Sequence, residues 1–148
     1  MILKNVSLKA YNTFGLDYKA DYVIHIQSED EAITSFREEL RARNPGFILG
    51  GGSNLLFTQD YHGTILHPEI GGIEVEEKNY EYAIISAGAG VNWDKFVEWT
   101  VSKEFGGLEN LSLIPGLVGA TPVQNIGAYG VEIEDLIEAV RAVSLEDG

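Results

Sequence analysis

The sequence predicts a mixed helix-and-strand fold, built as one domain or as two small lobes sharing a core, on three observations. Its 148 residues match the usual size of a single domain. From Tyr22 to Leu49 a strand, a capped helix and a second strand follow one another, the order of a βαβ unit. Two glycine-rich loops, Leu49–Phe57 and Ile114–Gly130, break apolar runs where a plain solvated connection would be charged.

The elements follow from pattern. Met1 to Asp21 is a polar and aromatic opening around Tyr11-Asn-Thr-Phe-Gly15, and Tyr22-Val-Ile-His-Ile26 is the first strand. Ser28-Glu-Asp-Glu31 matches a capping box, with Ser28 as N-cap and Glu31 reaching back. Ala32, Ile33, Phe36 and Leu40 then recur at helical spacing until Asn44-Pro-Gly46 stops the helix. Phe47-Ile-Leu49 reads as a short buried strand entering the triple glycine, at the strand end where ligands of open parallel sheets sit. Tyr61-His-Gly63 is expected to turn the chain into a strand reaching His67. Ile73–Glu76 and Tyr80–Ser86 read as strands joined at Asn79. Asn92 caps a second helix with Trp93, Phe96, Val97, Thr100 and Val101 inward, ended by Gly106-Gly107. Glu132–Asp135 is an acidic turn and Ile137–Leu145 a strand. Glu146-Asp-Gly148 is a hairpin turn signal with no partner strand after it, so the chain is expected to be a piece of a longer protein.

Composition narrows the function. With 45% hydrophobic and 22% charged residues the chain is an ordinary folded one. At about 150 residues it can bury close to 70% of its unfolded surface without a disulfide or metal staple. Cysteine is absent, which removes disulfide and thiolate chemistry. A net charge of −13 argues against nucleic acid or an anionic membrane as partner. Neither a signal peptide nor a membrane-spanning run is visible, so a cytoplasmic location is expected.

The loops carry the functional signal. Glycine lets backbone N–H groups approach a ligand closely, and a row of them binds an anion without a cationic side chain. Pro115 and Pro122 lower the entropy lost on ordering the second loop. No Lys or Arg occurs between Lys103 and Arg141, so a phosphate held there relies on amides and hydroxyls. Such contacts act at short range, whereas remote charge is screened beyond about 8 Å. A single glycine-proline loop is more often a tight connection than a binding site; two in one small chain suggest a large ligand held at two places.

Other motifs are set aside. Gly88-Ala-Gly90-Val-Asn-Trp93 opens a helix after a strand, but Trp93 replaces the third glycine of a dinucleotide fingerprint, leaving a structural turn. The triple glycine lacks the Gly-Lys-Ser/Thr of a phosphate-binding P-loop. His25, His62 and His67 have no metal-ligand spacing and read as ordinary core or surface histidines. The carboxylates of Glu76-Glu77 and Glu132/Glu134/Asp135 read as solvated faces or a capped turn rather than a general acid–base pair. No Ser–His–Asp set stands out.

Four motifs in order, Asn12-Thr-Phe-Gly15, Leu49–Phe57, Gly106-Gly-Leu-Glu-Asn110 and Ile114–Gly130 ending in Gln124-Asn-Ile-Gly-Ala-Tyr-Gly130, resemble the UDP-N-acetylenolpyruvoylglucosamine reductases over nearly the whole chain. The resemblance implies an α+β FAD-binding fold of the vanillyl-alcohol-oxidase (PCMH) type with two small α/β lobes, residues 1–70 and an incomplete 71–148, and FAD between them. It implies that Gly50, Gly51, Gly52, Ser53 and Asn54 contact the FAD pyrophosphate. Pro115, Gly116, Gly119, Ala120, Thr121, Ile126 and Gly127 would line the rest of the pyrophosphate and the flavin, and Tyr129 would approach the substrate. NADPH is the implied reductant and UDP-N-acetylglucosamine enolpyruvate the implied substrate, in peptidoglycan precursor synthesis. The family's catalytic arginine, serine and glutamate lie in contexts this chain lacks, so no catalytic residue is assigned here and these residues alone are expected to be inactive. The alternative is a stand-alone flavin- or nucleotide-binding module without chemistry of its own.

Overall fold

The computed structural model describes residues 1–40 and 46–144, the side chains of 38–40 excepted. The chain divides into two compact units, Met1–Ile70 with the stretch from Ala142 onward, and Gly71–Arg141.

The first unit is built on a four-stranded sheet of β1 (Ile2–Ser7), β2 (Lys19–Ile26), β3 (Phe47–Ile48) and β4 (Tyr61–Pro68), in spatial order β1-β2-β4-β3. β1 runs antiparallel to β2, while β2 and β3 both run parallel to β4. Alternation sets two apolar faces. Val23 and Ile65 pair in register and pack with Leu8, Ala20, Leu49 and Phe57; Ile24 and Leu66 pair one residue on and pack with Ile26 and Ala32. Both faces of the inner strands are therefore covered, as parallel strands require. Full burial of each such aliphatic side chain is worth roughly 1.5–3 kcal/mol.

Helix α1 (Glu29–Thr34), which continues as a π turn over Ser35–Leu40, covers the second face through Ala32 and Phe36. Its cap is close to the expected one. Ser28 Oγ accepts from the Glu31 amide at 3.1 Å, but Glu31 reaches the Gln27 amide at 2.8 Å rather than that of Ser28. The helix stop expected at Asn44-Pro45 lies outside the described residues.

Three expectations for this unit are corrected. The opening segment is polar enough to hide β1, which is an edge strand. β3 is not a buried strand: it occupies the opposite edge and leaves Ile48 58% exposed. Tyr61-His62-Gly63 is no turn but the start of β4, with Tyr61 paired to Ala20.

The second unit opens with the hairpin β5 (Ile73–Lys78) and β6 (Ala83–Ala87). Asn79 makes its turn, accepting from the amides of Glu81 and Tyr82 at 2.8 and 3.0 Å. That places Tyr80–Tyr82 in the turn and delays the strand to Ala83. Helix α2 (Trp93–Ser102) is capped by Asn92, whose Oδ1 accepts from the Lys95 amide at 3.0 Å. Trp93, Phe96 and Val97 pack with Leu111, Ile126 and Ile133, and Trp93 Nε1–H donates to the Leu111 carbonyl at 2.7 Å. Val101, expected inward, is 52% exposed.

Helix α2 also ends before the glycine pair. Glu104 takes the left-handed conformation (φ +62°), with Phe105 N–H donating to Thr100 O and Glu104 N–H to Val101 O, both at 3.0 Å. These are the two bonds of a Schellman stop, formed here without glycine. Short elements follow: α3 (Thr121–Gln124), then β7 (Gly127–Ala128) paired antiparallel with β8 (Val131–Glu132). The strand expected over Ile137–Leu145 does not form in its described part, residues 137–144. Ile137 packs into the core of the second unit and Val143 into that of the first, so the segment serves as a connection. Leu145 and the turn signal at 146–148 lie outside the described residues.

Candidate functional site

The first glycine loop begins from a fixed point. Leu49 is fully buried, its amide donates to Leu66 O at 2.8 Å, and its carbonyl accepts from His67 Nδ1 at 2.8 Å. A carbonyl only accepts, so His67 carries its proton on Nδ1. Beyond this anchor Gly50 is half-buried, Gly51 exposed and Gly52 buried. Gly52 has φ +66°, and a Cβ there would lie 2.8 Å from the Tyr11 carbonyl carbon and 2.9 Å from Asn12 Cα. Only glycine fits.

The surface that Gly52 rests on is organised by Asn12. This buried side chain donates to Leu8 O at 2.6 Å and Leu16 O at 3.0 Å, and accepts from the Leu16 amide at 3.0 Å. Thr13 N–H then donates to Gly52 O at 3.3 Å. The Asn12-Thr-Phe-Gly15 motif is thus the floor of the glycine loop. Among the described residues the amides of Gly50, Gly51 and Gly52 have no protein acceptor, which leaves three donors for an anion. Ser53 is half-buried and Asn54 exposed beside them.

Beneath the loop lies a polar cluster that sequence reasoning missed. His25 and His67 are paired across β2 and β4, with ring centroids 5.5 Å apart. Tyr11 stands edge-on to both rings, at 6.0 and 5.1 Å. His25 Nδ1 lies 2.6 Å from Glu69 Oε1, and its Nε2 lies 3.0 Å from Tyr11 Oη. With Nδ1–H donating to the carboxylate, Nε2 is placed to share a hydrogen bond with the Tyr11 hydroxyl, which can donate or accept. Burial, then the nearby Glu69 charge, raises the Tyr11 phenol above its ordinary value. The His25 hydrogen bond lowers the Glu69 carboxyl. The sequence spacing of 42 residues between the histidines gives no local signal; only the parallel register of β2 and β4 joins them.

The second loop belongs to the other unit and is held differently. Residues Gly88–Asn92, set aside as a structural turn, form its scaffold. Gly119 N–H donates to Ala89 O at 3.0 Å, Val118 N–H to Val91 O at 2.8 Å, and Trp93 N–H to Gly116 O at 3.0 Å, with Asn92 and Leu117 bridged antiparallel between them. A Cβ on Gly119 would meet Ala89 Cβ at 2.7 Å, so glycine permits this close approach. Gly116 has φ +142° and open space where a Cβ would stand, while Pro115 is exposed beside it.

Past Gly119, Ala120 is half-buried and Thr121 buried, its Oγ1–H donating to Val118 O at 2.9 Å. Asn125 ends α3 in the left-handed region; its Oδ1 accepts from the Glu134 amide at 3.2 Å and its Nδ2 donates to Glu132 at 3.1 Å. Ile126 is a core residue, so it offers a ligand backbone rather than side chain. Gly127 is exposed. Tyr129 and Gly130, both with positive φ, form the two-residue turn between β7 and β8, and this holds the Tyr129 ring 91% exposed. A cavity of about 10 Å³ behind the loop, lined by Trp93, Pro115, Gly116, Thr121 and Gln124, has room for one water.

The FAD binding domain family matches residues 20–148 of this chain. A UDP-N-acetylenolpyruvoylglucosamine reductase from Bacteroides fragilis is 50% identical over 140 residues, which are 95% of this chain and 42% of that protein. The reductase of the same name from Flavobacterium johnsoniae is 46% identical over 145 residues, 98% of this chain and 42% of its own length. The chain therefore spans less than half the length of these curated relatives. The crystal structure of the enzyme from Thermus caldophilus superposes with a TM-score of 0.68 at 23% identity, covering 91% of this chain and 47% of that one. It shares the fold.

Proposed function

Since the chain belongs to the FAD binding domain family, we propose that it is the FAD-holding part of a reductase that acts on UDP-N-acetylglucosamine enolpyruvate with NADPH as electron source. The observation that carries the cofactor assignment is the first loop: three amides without a protein acceptor among the described residues, on a loop pressed so closely against the Tyr11–Asn12 backbone that Gly52 admits no Cβ. Gly50, Gly51, Gly52, Ser53 and Asn54 take the pyrophosphate. In the second unit Pro115, Gly116, Gly119, Ala120, Thr121, Ile126 and Gly127 contribute mainly backbone to the remaining pyrophosphate and the flavin. Tyr129, presented outward by its turn, contacts substrate.

FAD, when bound, supplies the two-electron redox chemistry. The chain's own task is to bind and orient. Amides fixed by folding face a dianion without reorganising, and at contact range they outweigh a screened net charge of −13. The proposed activity of the whole protein and its substrate are supported by relatives at 42–50% identity carrying that name.

Flavin titration followed by fluorescence quenching tests the cofactor assignment. Gly51→Asp puts a carboxylate on the exposed glycine of the loop, and like-charge repulsion is expected to weaken FAD binding at least tenfold while the fold persists. Unchanged FAD affinity in that variant removes the loop from the site. NADPH oxidation by the full-length protein, dependent on UDP-N-acetylglucosamine enolpyruvate, tests the reaction; oxidation without dependence on that substrate refutes it.

A further inference from the structure

We propose that His67 is the positioning residue of the first glycine loop and takes up a proton when that loop receives a diphosphate. The inference rests on reading Gly50–Asn54 as the diphosphate loop. Three observations carry it.

First, His67 is tied to the loop by its backbone. Its Nδ1–H donates to the carbonyl of Leu49, the residue immediately before Gly50. Second, its Nε2 has no other protein partner among the described residues, so a proton added there keeps the Leu49 bond and makes it charge-assisted. Third, a carboxylate beside the two rings favours a positive charge in this cluster. Both ring nitrogens of His25 are already partnered, Nδ1 by Glu69 and Nε2 by the Tyr11 hydroxyl. Glu69, ionised and hydrogen-bonded to His25, stands near His67 as well and offsets a single cation.

The charged and titratable groups around the ring are Tyr11 from the opening segment, His25 from β2, Glu69 after β4, and the Met1 amino group, which donates to His25 O at 3.2 Å. Tyr11 stays protonated and Glu69 stays ionised near neutral pH. The diphosphate is ionised throughout the same range. His67 is then the group that responds to a dianion placed on the adjoining amides. A bound anion favours the charged form of a nearby histidine. Binding therefore takes up protons, is tighter at low pH, and weakens as pH rises through the titration of the bound state.

The test is FAD binding to the full-length protein between about pH 8 and about pH 6. One linked proton caps the effect at tenfold per pH unit, and a tightening of about threefold to tenfold over the range is expected. Calorimetry in two buffers of different ionisation heat should show proton uptake. Riboflavin, which lacks the diphosphate, should show neither effect. His67→Asn retains a donor for Leu49 O without a titratable group, and its FAD affinity should lose the pH slope. Histidine NMR titrations with and without FAD should move the His67 midpoint upward. Equal slopes in wild type and His67→Asn, or an unmoved midpoint, overturn the inference; if Gly51→Asp still weakens FAD binding at least tenfold, the loop assignment survives that failure. If Gly51→Asp binds FAD normally, the loop assignment falls and the inference with it.

Discussion

Replacing Gly52 by alanine separates fold from function in the first loop. Alanine at φ +66° accepts a left-handed conformation that costs about 1–2 kcal/mol. The added Cβ would stand 2.8 Å from the Tyr11 carbonyl carbon, against an ordinary contact of about 3.5–4.0 Å. Both atoms are backbone, so no side chain can swing away, and the loop must lift from its floor. That movement breaks the Thr13 N–H to Gly52 O bond, worth about 1 kcal/mol. The sum is about 2–3 kcal/mol, which for a chain of this size lowers Tm by about 4–12 °C. Circular dichroism melts measure it directly. Gly51→Ala is the control: this glycine is exposed and has no positive φ, so its melt should match the parent. A Gly52→Ala melt within about 1 °C of the parent would refute the argument that Tyr11–Asn12 is a rigid floor.

Two further outcomes are expected. Glu104→Gly relieves a non-glycine residue at φ +62° and should raise Tm by about 2–4 °C, for a gain of about 1 kcal/mol; a lower Tm would mean the Glu104 side chain contributes more than its backbone strain costs. The Glu69 carboxyl is held below its ordinary value of 4.5, so its contribution is present above that value and lost as pH falls through the lowered folded one. Glu69→Gln should flatten the acid limb of a Tm-against-pH curve, and an unchanged limb would show that the His25–Glu69 contact is not coupled to stability.

How much of this was legible in the sequence depended on range. Local signals were reliable: the Ser28 and Asn92 caps, the Asn79 turn and, Val101 apart, the inward stripe of α2 each depend on residues a few positions apart. The glycine loops were visible because glycine is costly unless a backbone needs it. What stayed hidden was set by tertiary pairing. β1 has too polar a pattern to announce an edge strand, and Ile48 looked buried because sequence does not show which strand ends at an edge. Glycines at 106–107 drew the helix end too far, since Glu104 forms the stop unaided. The Tyr11–His25–His67–Glu69 cluster exists only through strand register, and the role of Asn12 only through a loop 40 residues away.

The backbone zipper between Gly88–Asn92 and Gly116–Gly119 bears on how the second loop opens. One of its rungs is the first amide of α2, belonging to Trp93, whose ring is the largest fully buried side chain among the described residues. Detaching the loop therefore disturbs the start of that helix, so the loop inherits the helix's opening free energy rather than that of a surface connection. Amides of Val118 and Gly119 should exchange with solvent as slowly as those inside α2, in step with them under denaturant. Proteases that cut ordinary glycine-rich segments should find this one closed until the helix itself lets go.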